Sequence, residues 1–358
     1  MKYIENTPYS IQGQRVLLRI DVNEPIDEKG YPQDTFRISK ALHTIQYLRS
    51  QKAKIIIIAH LGDPEGKYNA SLSLRSIAGV LAEMGGFNID FIDSLIEDID
   101  STQSHRIQDG DVMMLENIRF DPREEMNDIS LAHTLAQFAD IYVNDSFSVT
   151  HRNHASVSII TTLLPSFAGL VLAKETEVLN TILHNPKSPS VAIIGGAKIA
   201  TKLPVIEVLE TSFDYILIGG KIANEYIDHY ASQSHPKVIV PIDFIEEKRY
   251  DIGPKTRELF AEYIAKASTI VWNGPLGWFE HKPYDEGTKY IAQAIAQNED
   301  SYSVIGGGET VDEVHNLHQE AKIDFISTGG GAMLEYIAHK GQLPGIEALE
   351  QSSVEFIV

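Results

Sequence analysis

Short apolar runs recur along the whole chain, and many of them end in Gly, Asn, Asp or His. Segments of helical period lie between many of these runs. One example has apolar residues at three- and four-residue steps from Ile38 to Leu48, and Asp34 or Thr35 can cap it. This alternation predicts an α/β fold with parallel sheets covered by helices on both faces. The runs are RVLLRIDVN, KIIIIAHLG, DVMMLEN, IYVNDS, VAIIGG, YILIGG, VIVPID, TIVWNG, YSVIGGG and FISTGGG.

The alternation continues through both halves of the chain, and a length of 358 residues favours two domains. A long helical pattern, GLVLAKETEVLNTIL, interrupts it and ends at the turn-rich HNPKSP. We expect an N-terminal domain over residues 1–167, a linking helix over 168–186, a C-terminal domain over 187–342 and a tail over 343–358. Ligands of parallel sheets bind beyond the carboxyl ends of the strands, where these polar and Gly-rich tails fall.

The formal net charge is −20 and the pI is near 5.0, which makes a nucleic-acid-binding protein an unfavourable interpretation. The chain has no cysteine, so disulfides, thiolate metal sites and thiol nucleophiles are excluded. No apolar run is long enough to span a bilayer, and the segment MKYIENTPYS lacks the pattern of a signal peptide. We therefore expect a cytoplasmic protein without membrane contact.

A phosphate-binding turn is one interpretation of the stretch that begins with the apolar run Val191–Ile194. Gly195 and Gly196 follow this run, and Lys198 and Lys202 come next, four residues apart. If the segment after the glycines is a helix, both ammonium groups lie on one face near its N-terminus, where the helix dipole also favours anions. An ordinary strand–helix turn with two solvated lysines is the alternative.

Arginine and histidine are frequent in the first half, close to predicted strand ends. Arg19, Asp21 and Asn23 alternate along the first strand, so we expect all three on one side of it. Arg37 lies in the first turn of a predicted helix, where the helix dipole disfavours a cation. Because arginine binds carboxylate and phosphate bidentately, the set suits a small substrate that carries both groups. Its remaining members are His60, Arg119 and Arg152. His151 and His154 lie beside Arg152, although a single histidine is more often structural.

Glycine pairs and triples close several strands of the second half, which contains neither GxxxxGK[ST] nor GxGxxG. If they converge on one sheet edge, they can form a flat wall for an adenine and offer backbone N–H groups to phosphates. Tight turns are the alternative for any one of them. The groups are Gly195-Gly196, Gly219-Gly220, Gly306-Gly307-Gly308 and Gly329-Gly330-Gly331.

Ten motifs in sequence order resemble the phosphoglycerate kinase family, from about Arg15 to Leu349. They are RIDVNEP, DTFRI, HLGDP, ENIRF, HRNHAS, GGAKIATK, DIGPKT, WNGPLGWFE, GGGET and ISTGGGAMLE. The resemblance implies two Rossmann-like parallel-sheet domains that are joined by a linking helix and close over a cleft. It assigns 3-phosphoglycerate to the N-terminal domain and the nucleotide to the C-terminal domain, with the C-terminal tail returning towards the N-terminal domain.

The reaction that the resemblance implies is reversible phosphoryl transfer between 1,3-bisphosphoglycerate and ADP, giving 3-phosphoglycerate and ATP. Mg²⁺ takes part as the MgATP or MgADP complex. The resemblance also implies a role in glycolysis and gluconeogenesis, a monomeric protein, and partners limited to these small molecules.

The family's site residues transfer to matching positions of this chain. Arg37 and Lys198 are implied to stabilise the transferring phosphoryl group, Glu280 to bind the ribose and Glu309 to bind the metal. The implied substrate-binding residues are Asp21, Val22, Asn23, Arg37, His60, Leu61, Gly62, Asp63, Arg119 and Arg152. The implied nucleotide-binding residues are Gly195, Gly196, Lys198, Lys202, Gly219, Gly220, Asn273, Pro275, Gly277, Glu280, Gly307, Gly308, Glu309 and Thr310.

Several positions depart from the family pattern. Asp63 replaces an arginine, Lys221 a glycine and Glu309 an aspartate, while the segment between Ile222 and Asp251 is short and the C-terminal tail differs. Two alternatives to an active kinase therefore stay open. One is a paralogue with altered nucleotide or acceptor specificity, and the other is a non-catalytic binding protein of the same fold.

Overall fold

The structure, a computed structural model, describes residues 1–230 and 235–355. It divides into two compact units. The first contains Met1–Thr176 and the chain from Gln342 onward, and the second contains Glu177–Gly341. Within the described residues, no helix combines the length and the apolar character that a membrane crossing requires.

The first unit is built on six parallel strands in the order β3-β4-β2-β1-β5-β6. Four of them follow predicted runs, whereas β3 and β6 were missed because their apolar sequences, IDFI and SFA, are too short to stand out. The strands are β1 Arg15–Arg19, β2 Lys54–Ile58, β3 Ile89–Ile92, β4 Val112–Leu115, β5 Ile141–Asn144 and β6 Ser166–Ala168.

Strand register brings three loops of this unit to one edge. Arg19, the last residue of β1, pairs with Ile58 of β2 on one side and Asn144 of β5 on the other. The three helices that accompany the sheet are α1 Phe36–Ser50, α2 Arg75–Gly85 and α3 Ile129–Ala136. Helix α1 buries one apolar face, including Ile38, Ile45 and Leu48, against the core of β1 and β2, as its period predicted.

Helix α4, Leu170–His184, occupies the position predicted for the linking helix, and the division between the two units falls within it. Side chains of the first unit satisfy its first N–H groups. Leu170 N–H donates to Thr44 Oγ1 at 3.1 Å, and Val171 N–H donates to Asp145 Oδ1 at 2.8 Å. The start of α4 is thereby anchored to the first unit.

The second unit repeats the architecture with six parallel strands in the order β14-β13-β12-β7-β8-β9, plus a separate antiparallel pair, β10-β11. All six predicted runs of this half are strands, and the two strands of the pair were not predicted. They are β7 Ser190–Ile194, β8 Tyr215–Ile218, β9 Val238–Ile239, β10 Phe244–Ile245, β11 Asp251–Ile252, β12 Thr269–Asn273, β13 Tyr302–Gly306 and β14 Phe325–Ile326.

Helices cover this second sheet, and one further helix belongs to the first unit. Asn273, the last residue of β12, pairs with Ile194 of β7 and Gly306 of β13, so three Gly-rich turns begin at the same level. The helices are α5 Ile199–Ser212, α6 Gly220–His229, α7 Pro254–Lys266, α8 Glu286–Gln297, α9 Gly308–Asn316, α10 Gly330–Ala338 and α11 Pro344–Gln351. In the tail, Gly345 N–H donates to Thr150 O at 2.8 Å, which attaches α11 to the first unit.

Candidate active site

The loop after β1 brings polar side chains to the guanidinium of Arg37. Strand β1 ends at Arg19, so the expectation that Arg19, Asp21 and Asn23 alternate along one strand face is wrong. The chain turns instead, and Asp21 Oδ1 accepts a hydrogen bond from Asn23 N–H at 3.0 Å. Arg37 donates through Nη1 to the carbonyl of Asn23, and its Nε lies 3.5 Å from Asp21 Oδ2.

Carboxylates surround the start of helix α1, where Arg37 is the second residue. Asp34 Oδ1 accepts hydrogen bonds from the N–H groups of Thr35 and Phe36 at 2.6 and 3.1 Å, while the Thr35 side chain makes no capping bond. Of the two predicted caps, Asp34 is therefore the one that acts. Glu24 Oε1 accepts from Arg37 N–H at 2.5 Å. These negative charges offset the cost of an arginine at the positive end of the helix dipole.

Gly62, after β2, connects two of the predicted substrate residues. Its N–H donates to Asn23 Oδ1 at 2.8 Å, and its carbonyl accepts from Arg119 Nη1 at 2.9 Å. Glycine is required here because φ is +62° and a Cβ would lie 2.7 Å from Leu72 Cδ2. Arg119 also lies beside Glu125, with Nε 3.3 Å from Oε1. The loops after β1, β2 and β4 are thus joined by hydrogen bonds at one sheet edge.

His60 is buried beneath these loops in a defined tautomer. Arg19 Nη2 lies 3.0 Å from His60 Nδ1, and because a guanidinium only donates, Nδ1 accepts and Nε2 carries the proton. Burial, together with the charges of Arg19 and Arg119, holds the pKa of His60 well below its usual range. Arg19 in turn donates to Ser156 Oγ at 3.1 Å, and Ser156 Oγ donates to the buried Glu124 at 2.6 Å. His60 is therefore a neutral N–H donor held by a buried network.

Arg152 and His154 lie in one segment but have different environments. Arg152 is exposed, whereas His154 is buried. Burial lowers the pKa of His154 to about 3, and the positive charges of Arg119, Arg19 and Arg152 act in the same direction. Arg152 is therefore close enough to His154 to lower its pKa, as Arg119 and Arg19 also do.

Three other predicted substrate residues differ in exposure. Asp63, which replaces the family arginine, is exposed to solvent. Val22 and Leu61 are buried and belong to the core cluster of the first sheet. Their side chains therefore support the two loops from below and do not line the loop surface.

In the second unit the Gly-rich turns pack against one another at the carboxyl edge of the sheet. A Cβ on Gly195 would lie 2.2 Å from the carbonyl oxygen of Pro275, and one on Gly330 would lie 2.3 Å from Cα of Gly307. Such contacts involve backbone on both sides, so side-chain rotation could not relieve them. The prediction that the glycines converge on one sheet edge is confirmed. Gly195 and Gly330 are needed there because neighbouring turns pack closely against them.

The expectation that these glycines offer free N–H groups to phosphates is wrong for four of them, because backbone carbonyls at strand ends and in the following turns accept their hydrogen bonds. The four bonds run from Gly195 to Asn273 at 2.9 Å, Gly196 to Pro275 at 2.9 Å, Gly219 to Ile194 at 3.0 Å and Gly220 to Leu276 at 2.9 Å. The first N–H groups of α5 and α9 have no partner within their helices and remain the suitable donors.

Lys202 lies in a buried polar framework under this edge. Its Nζ donates to Asn273 Oδ1 at 2.8 Å, and Asn273 Nδ2 donates to Gly330 O at 3.2 Å. Thr310 Oγ1 accepts from Gly274 N–H at 2.9 Å. Burial lowers the pKa of Lys202 to about 8, with the charge of Glu309 opposing that effect.

The two lysines of the phosphate motif are not equivalent. Lys198 is the residue before the first turn of α5 and is exposed, whereas Lys202 is only 8% exposed. The prediction of a helix after the glycines is confirmed. The alternative of two solvated lysines is wrong for Lys202, because its ammonium is buried and hydrogen-bonded to Asn273.

A cavity of about 580 Å³ opens beside this edge, a volume typical of small-molecule sites. Gly196, Pro275, Gly277, Glu280 and Glu309 line it, all of them predicted nucleotide residues. Its other lining residues were not predicted to bind nucleotide and are Ala197, Lys221, Asn224, Glu225, Asp228, His229, Lys248, Arg249, Tyr250, Trp278 and Phe279. Lys221 therefore lies on the cavity wall.

The short segment between α6 and β11 supplies one side of this cavity, although its residues 231–234 lie outside the described residues. Asn224 Nδ2 donates to Arg249 O at 3.0 Å, and Arg249 Nη1 lies 2.9 Å from Asp228 Oδ1. Trp278 N–H donates to Tyr250 O at 2.8 Å, and the two rings are 5.4 Å apart. The sequence signal that could have located this side of the cavity was the aromatic Tyr250 at the end of the short segment.

Glu309 is the first acidic residue of α9 and faces the cavity with Glu280. Partial burial raises the pKa of Glu309, and the negative charge of Glu280 adds to the effect while Lys202 opposes it. Within residues 1–230 and 235–355, no group of three or more His, Asp or Glu side chains is arranged to hold a metal ion.

Comparison with known proteins agrees with this geometry. A model of the phosphoglycerate kinase family matches residues 6–238 and 227–340. The structure of phosphoglycerate kinase from Coxiella burnetii superposes with a TM-score of 0.83 and 31% identity over 98% of this chain and 99% of that one. Phosphoglycerate kinase from Pyrococcus horikoshii OT3 gives a TM-score of 0.86 and 29% identity, with the same coverage. On these grounds, the chain belongs to the phosphoglycerate kinase family.

Proposed function

We propose that the protein catalyses reversible phosphoryl transfer between 1,3-bisphosphoglycerate and ADP, giving 3-phosphoglycerate and ATP. The observation that carries the proposal is the donor set around the loop after β1. Arg37 Nε lies 3.5 Å from Asp21 Oδ2, a buried oxygen that accepts no hydrogen bond from the described residues. Arg119 is joined to the same loop through Gly62 and Asn23, and the neutral His60, held by Arg19, follows the neighbouring strand β2.

This donor set suits the chemistry of 3-phosphoglycerate. Guanidinium groups bind its phosphate and carboxylate, while an acceptor such as Asp21 Oδ2 suits its hydroxyl group. We assign this substrate to the first unit, with Arg119, Arg152 and His60 as anion ligands and Arg37 nearest the reacting carboxylate. Asn23 and Gly62 hold the loops in place through the 2.8 Å bond between them.

The cavity of the second unit suits a nucleoside diphosphate or triphosphate. The first N–H groups of α5 and α9, which lack an acceptor within their own helices, suit the phosphates together with Lys198 and Lys202. Glu280 on the cavity wall suits the ribose hydroxyls, and the aromatic surface of Trp278, which is 45% exposed, suits the base.

Mg²⁺ enters as part of the nucleotide substrate, and Glu309 is the residue that would hold it. The cavity around Glu309 suits a cation for electrostatic reasons. Glu309 and Glu280 line one cavity, where partial burial and the negative charge of Glu280 raise the pKa of Glu309, and a bound cation would favour its ionised carboxylate. When bound, the ion supplies charge neutralisation at the nucleotide phosphates.

The protein's own part in the transfer is binding and charge neutralisation. In the forward direction the bond between the phosphoryl phosphorus and the acyl oxygen breaks, and a bond to a β-phosphate oxygen of ADP forms. Negative charge on the equatorial oxygens is stabilised by the positive side chains of Arg37 and Lys198.

A steady-state assay of the whole chain with 3-phosphoglycerate, ATP and Mg²⁺ tests the proposal, with ADP formation as the readout. Turnover that requires all three components is the expected result. ATP consumption that does not depend on 3-phosphoglycerate, or the absence of ATP consumption, would contradict the assigned reaction.

We further propose that the protein acts as a cytoplasmic, monomeric glycolytic enzyme. Light scattering tests whether it is a monomer.

A variant nucleotide preference is the second candidate, and the position of Lys221 on the cavity wall favours it. An ammonium group there changes the hydrogen-bonding character of a surface that faces the bound nucleotide. Calorimetry with ADP, GDP, CDP and UDP distinguishes the two candidates. Strong preference for ADP supports the first, whereas comparable or tighter binding of another diphosphate supports the second.

Glu309→Gln is expected to lower turnover by about 10- to 100-fold, because the amide cannot neutralise a cation at the nucleotide phosphates. Glu309→Asp is expected to retain most of the activity, since it keeps the charge. The measurement is turnover together with the Mg²⁺ concentration dependence of ADP binding, which only the first change should weaken. Glu286→Gln, at an exposed acid of α8, serves as the control. Equal Mg²⁺ dependence in all four proteins would remove Glu309 from the metal site.

Nucleotide binding near pH 8 is expected to take up a proton at Lys202. Its pKa of about 8 means that a substantial fraction is neutral there, and bound phosphate favours the ammonium form. Proton uptake is measured by titration calorimetry of ADP in buffers of different ionisation enthalpy. Uptake should vanish in Lys202→Met and persist in Lys255→Met, an exposed lysine outside the cavity lining. Unchanged uptake in Lys202→Met would show that another group titrates.

A further inference from the structure

We propose that Glu24 is a positioning residue for Arg37, and that its carboxylate competes with the anionic substrate for the Arg37 guanidinium. The inference rests on the proposed function, because it concerns the substrate that Arg37 binds. Glu24 was not among the residues that motif comparison assigned to the site.

Glu24 is in direct contact with Arg37 at two points. Its Oε1 accepts the N–H of Arg37 at 2.5 Å, and its Oε2 lies 3.8 Å from Arg37 Nη1. The Glu24 side chain is 4% exposed and that of Arg37 is 25% exposed. A single buried carboxylate therefore caps the first turn of α1 and also lies beside the guanidinium that the reaction needs.

The backbone holds Glu24 in this position. Its N–H donates to Val22 O at 2.8 Å, which closes a tight turn immediately after Asp21. The next residue, Pro25, accepts a hydrogen bond at its carbonyl from Gln33 N–H, also at 2.8 Å. Because the turn is held on both sides, the carboxylate has little freedom to leave Arg37.

The charged groups that face Glu24 come from both packed segments. They are Arg37 of α1, Asp34 before that helix, and Asp21 of its own loop. Burial raises the pKa of Glu24 to about 7, Arg37 opposes the effect, and the two aspartates add to it. The carboxyl group thus changes charge in the pH range in which the enzyme would be assayed.

The consequence for the substrate follows from the sign of that charge. Above pH 7 the ionised Glu24 partly neutralises Arg37 and repels an arriving phosphate or carboxylate. Below pH 7 the neutral acid keeps the hydrogen bond to the Arg37 N–H but leaves the guanidinium to the substrate. The hydrogen bond from the Arg37 N–H can form to either protonation state of Glu24, although it favours the ionised one, whereas the competition requires the negative charge.

Glu24→Gln separates the two roles, because glutamine keeps an acceptor for the Arg37 N–H and removes the charge. We expect the KM for 3-phosphoglycerate at pH 8 to fall about fivefold in Glu24→Gln, with kcat changed less than twofold. Comparing wild type and variant at each pH cancels the titration of the substrate phosphate. The KM difference should shrink from pH 8 to pH 6. Glu28→Gln, at an exposed acid of the same loop, should match the wild type.

Unfolding provides a readout that needs no substrate. The pKa of Glu24 is higher in the folded chain than its ordinary value of 4.5, so the folded state binds the proton more tightly. The stability that this contributes is present below pH 4.5 and is lost as the pH rises towards 7. Glu24→Gln should therefore have a higher Tm than the wild type at pH 8, and the difference should shrink towards pH 5.

The outcomes distinguish the inference from the proposed function. Equal KM profiles for wild type and Glu24→Gln, with turnover normal, would overturn the competition. Equal Tm at all pH values would overturn the assignment of Glu24 as a buried titrating partner of Arg37. Absence of turnover and of 3-phosphoglycerate binding in the wild type, with the Tm difference present, would refute the proposed function while leaving the Glu24–Arg37 pairing intact.

Discussion

Arg37→Ala is expected to lower turnover by at least about a thousandfold, the effect typical of an arginine that stabilises a phosphoryl group in transfer. Its guanidinium contacts the loop that carries Asp21 and Asn23, and the Arg37 side chain is 25% exposed. It is therefore both positioned by the protein and accessible to a substrate. Loss of the side chain removes positive charge that the carboxylates around it cannot replace.

The fold should survive this change. The Arg37 N–H still donates to Glu24, and the apolar face of α1 that packs on the sheet is untouched. Removing the cation leaves the carboxylates of Asp21 and Glu24 without their shared partner, which raises the pKa of Glu24 further and costs modest stability. Circular dichroism and Tm should remain close to the wild type while the steady-state rate falls.

Arg75→Ala is the matched control. Arg75 also lies in the first turn of a helix, its side chain is 60% exposed, and it forms an ion pair with the exposed Asp93. Its turnover should equal that of the wild type. Arg37→Lys should fall between the two, since lysine keeps the charge and loses the bidentate fork. Turnover in Arg37→Ala within tenfold of the wild type would contradict the assigned role.

Gly195→Ala is expected to destabilise the second unit by about 3 kcal/mol or more, the scale of severe overpacking. The new Cβ would lie 2.2 Å from the carbonyl of Pro275 and 2.5 Å from that of Gly274. Both contacts are to backbone of the turn after β12, so relief requires that turn to move. Movement would break the bonds that join the turns after β7 and β12, including the 2.9 Å bond from Gly195 N–H to Asn273 O.

Fluorescence-detected denaturation is a suitable measurement, because both tryptophans of the chain, Trp272 and Trp278, lie in the second unit. The midpoint for Gly195→Ala should fall well below that of the wild type. Gly331→Ala is the matched control: this glycine lies in the first turn of α10, with no atom within 4 Å of the position of a Cβ. It should be neutral or slightly stabilising. Equal midpoints for both variants would show that the turns can separate at little cost.

Much of the fold could be predicted because both sheets are parallel. Strands buried on both faces appear as uninterrupted apolar runs, and ten of the strands follow such runs. The strands that were missed lie at sheet edges or in the small antiparallel pair, where two to four residues suffice and no periodicity develops. Helix α4 was predicted from its long apolar period and its turn-rich end.

The candidate site was predicted less completely. Motifs identified Arg37, His60 and Arg119 from their residue types and neighbours, but they could not identify Glu24 because its partner is 13 residues away in sequence. Ser156 and Glu124, which hold Arg19 beneath His60, were missed for the same reason. Long-range hydrogen bonds between loops leave no local pattern.

The sequence by itself determined the alternation of strand and helix, the two Gly-rich and Arg-rich halves, and the family. These properties depend on local periodicity and on residue types at short spacing. Only the tertiary structure decided which lysine of the phosphate motif is buried, why Gly195 and Gly330 must be glycine, and which carboxylate faces Arg37. Each of these depends on the distance between segments far apart in the chain, and parallel sheets set that distance by bringing the carboxyl ends of non-consecutive strands to one edge.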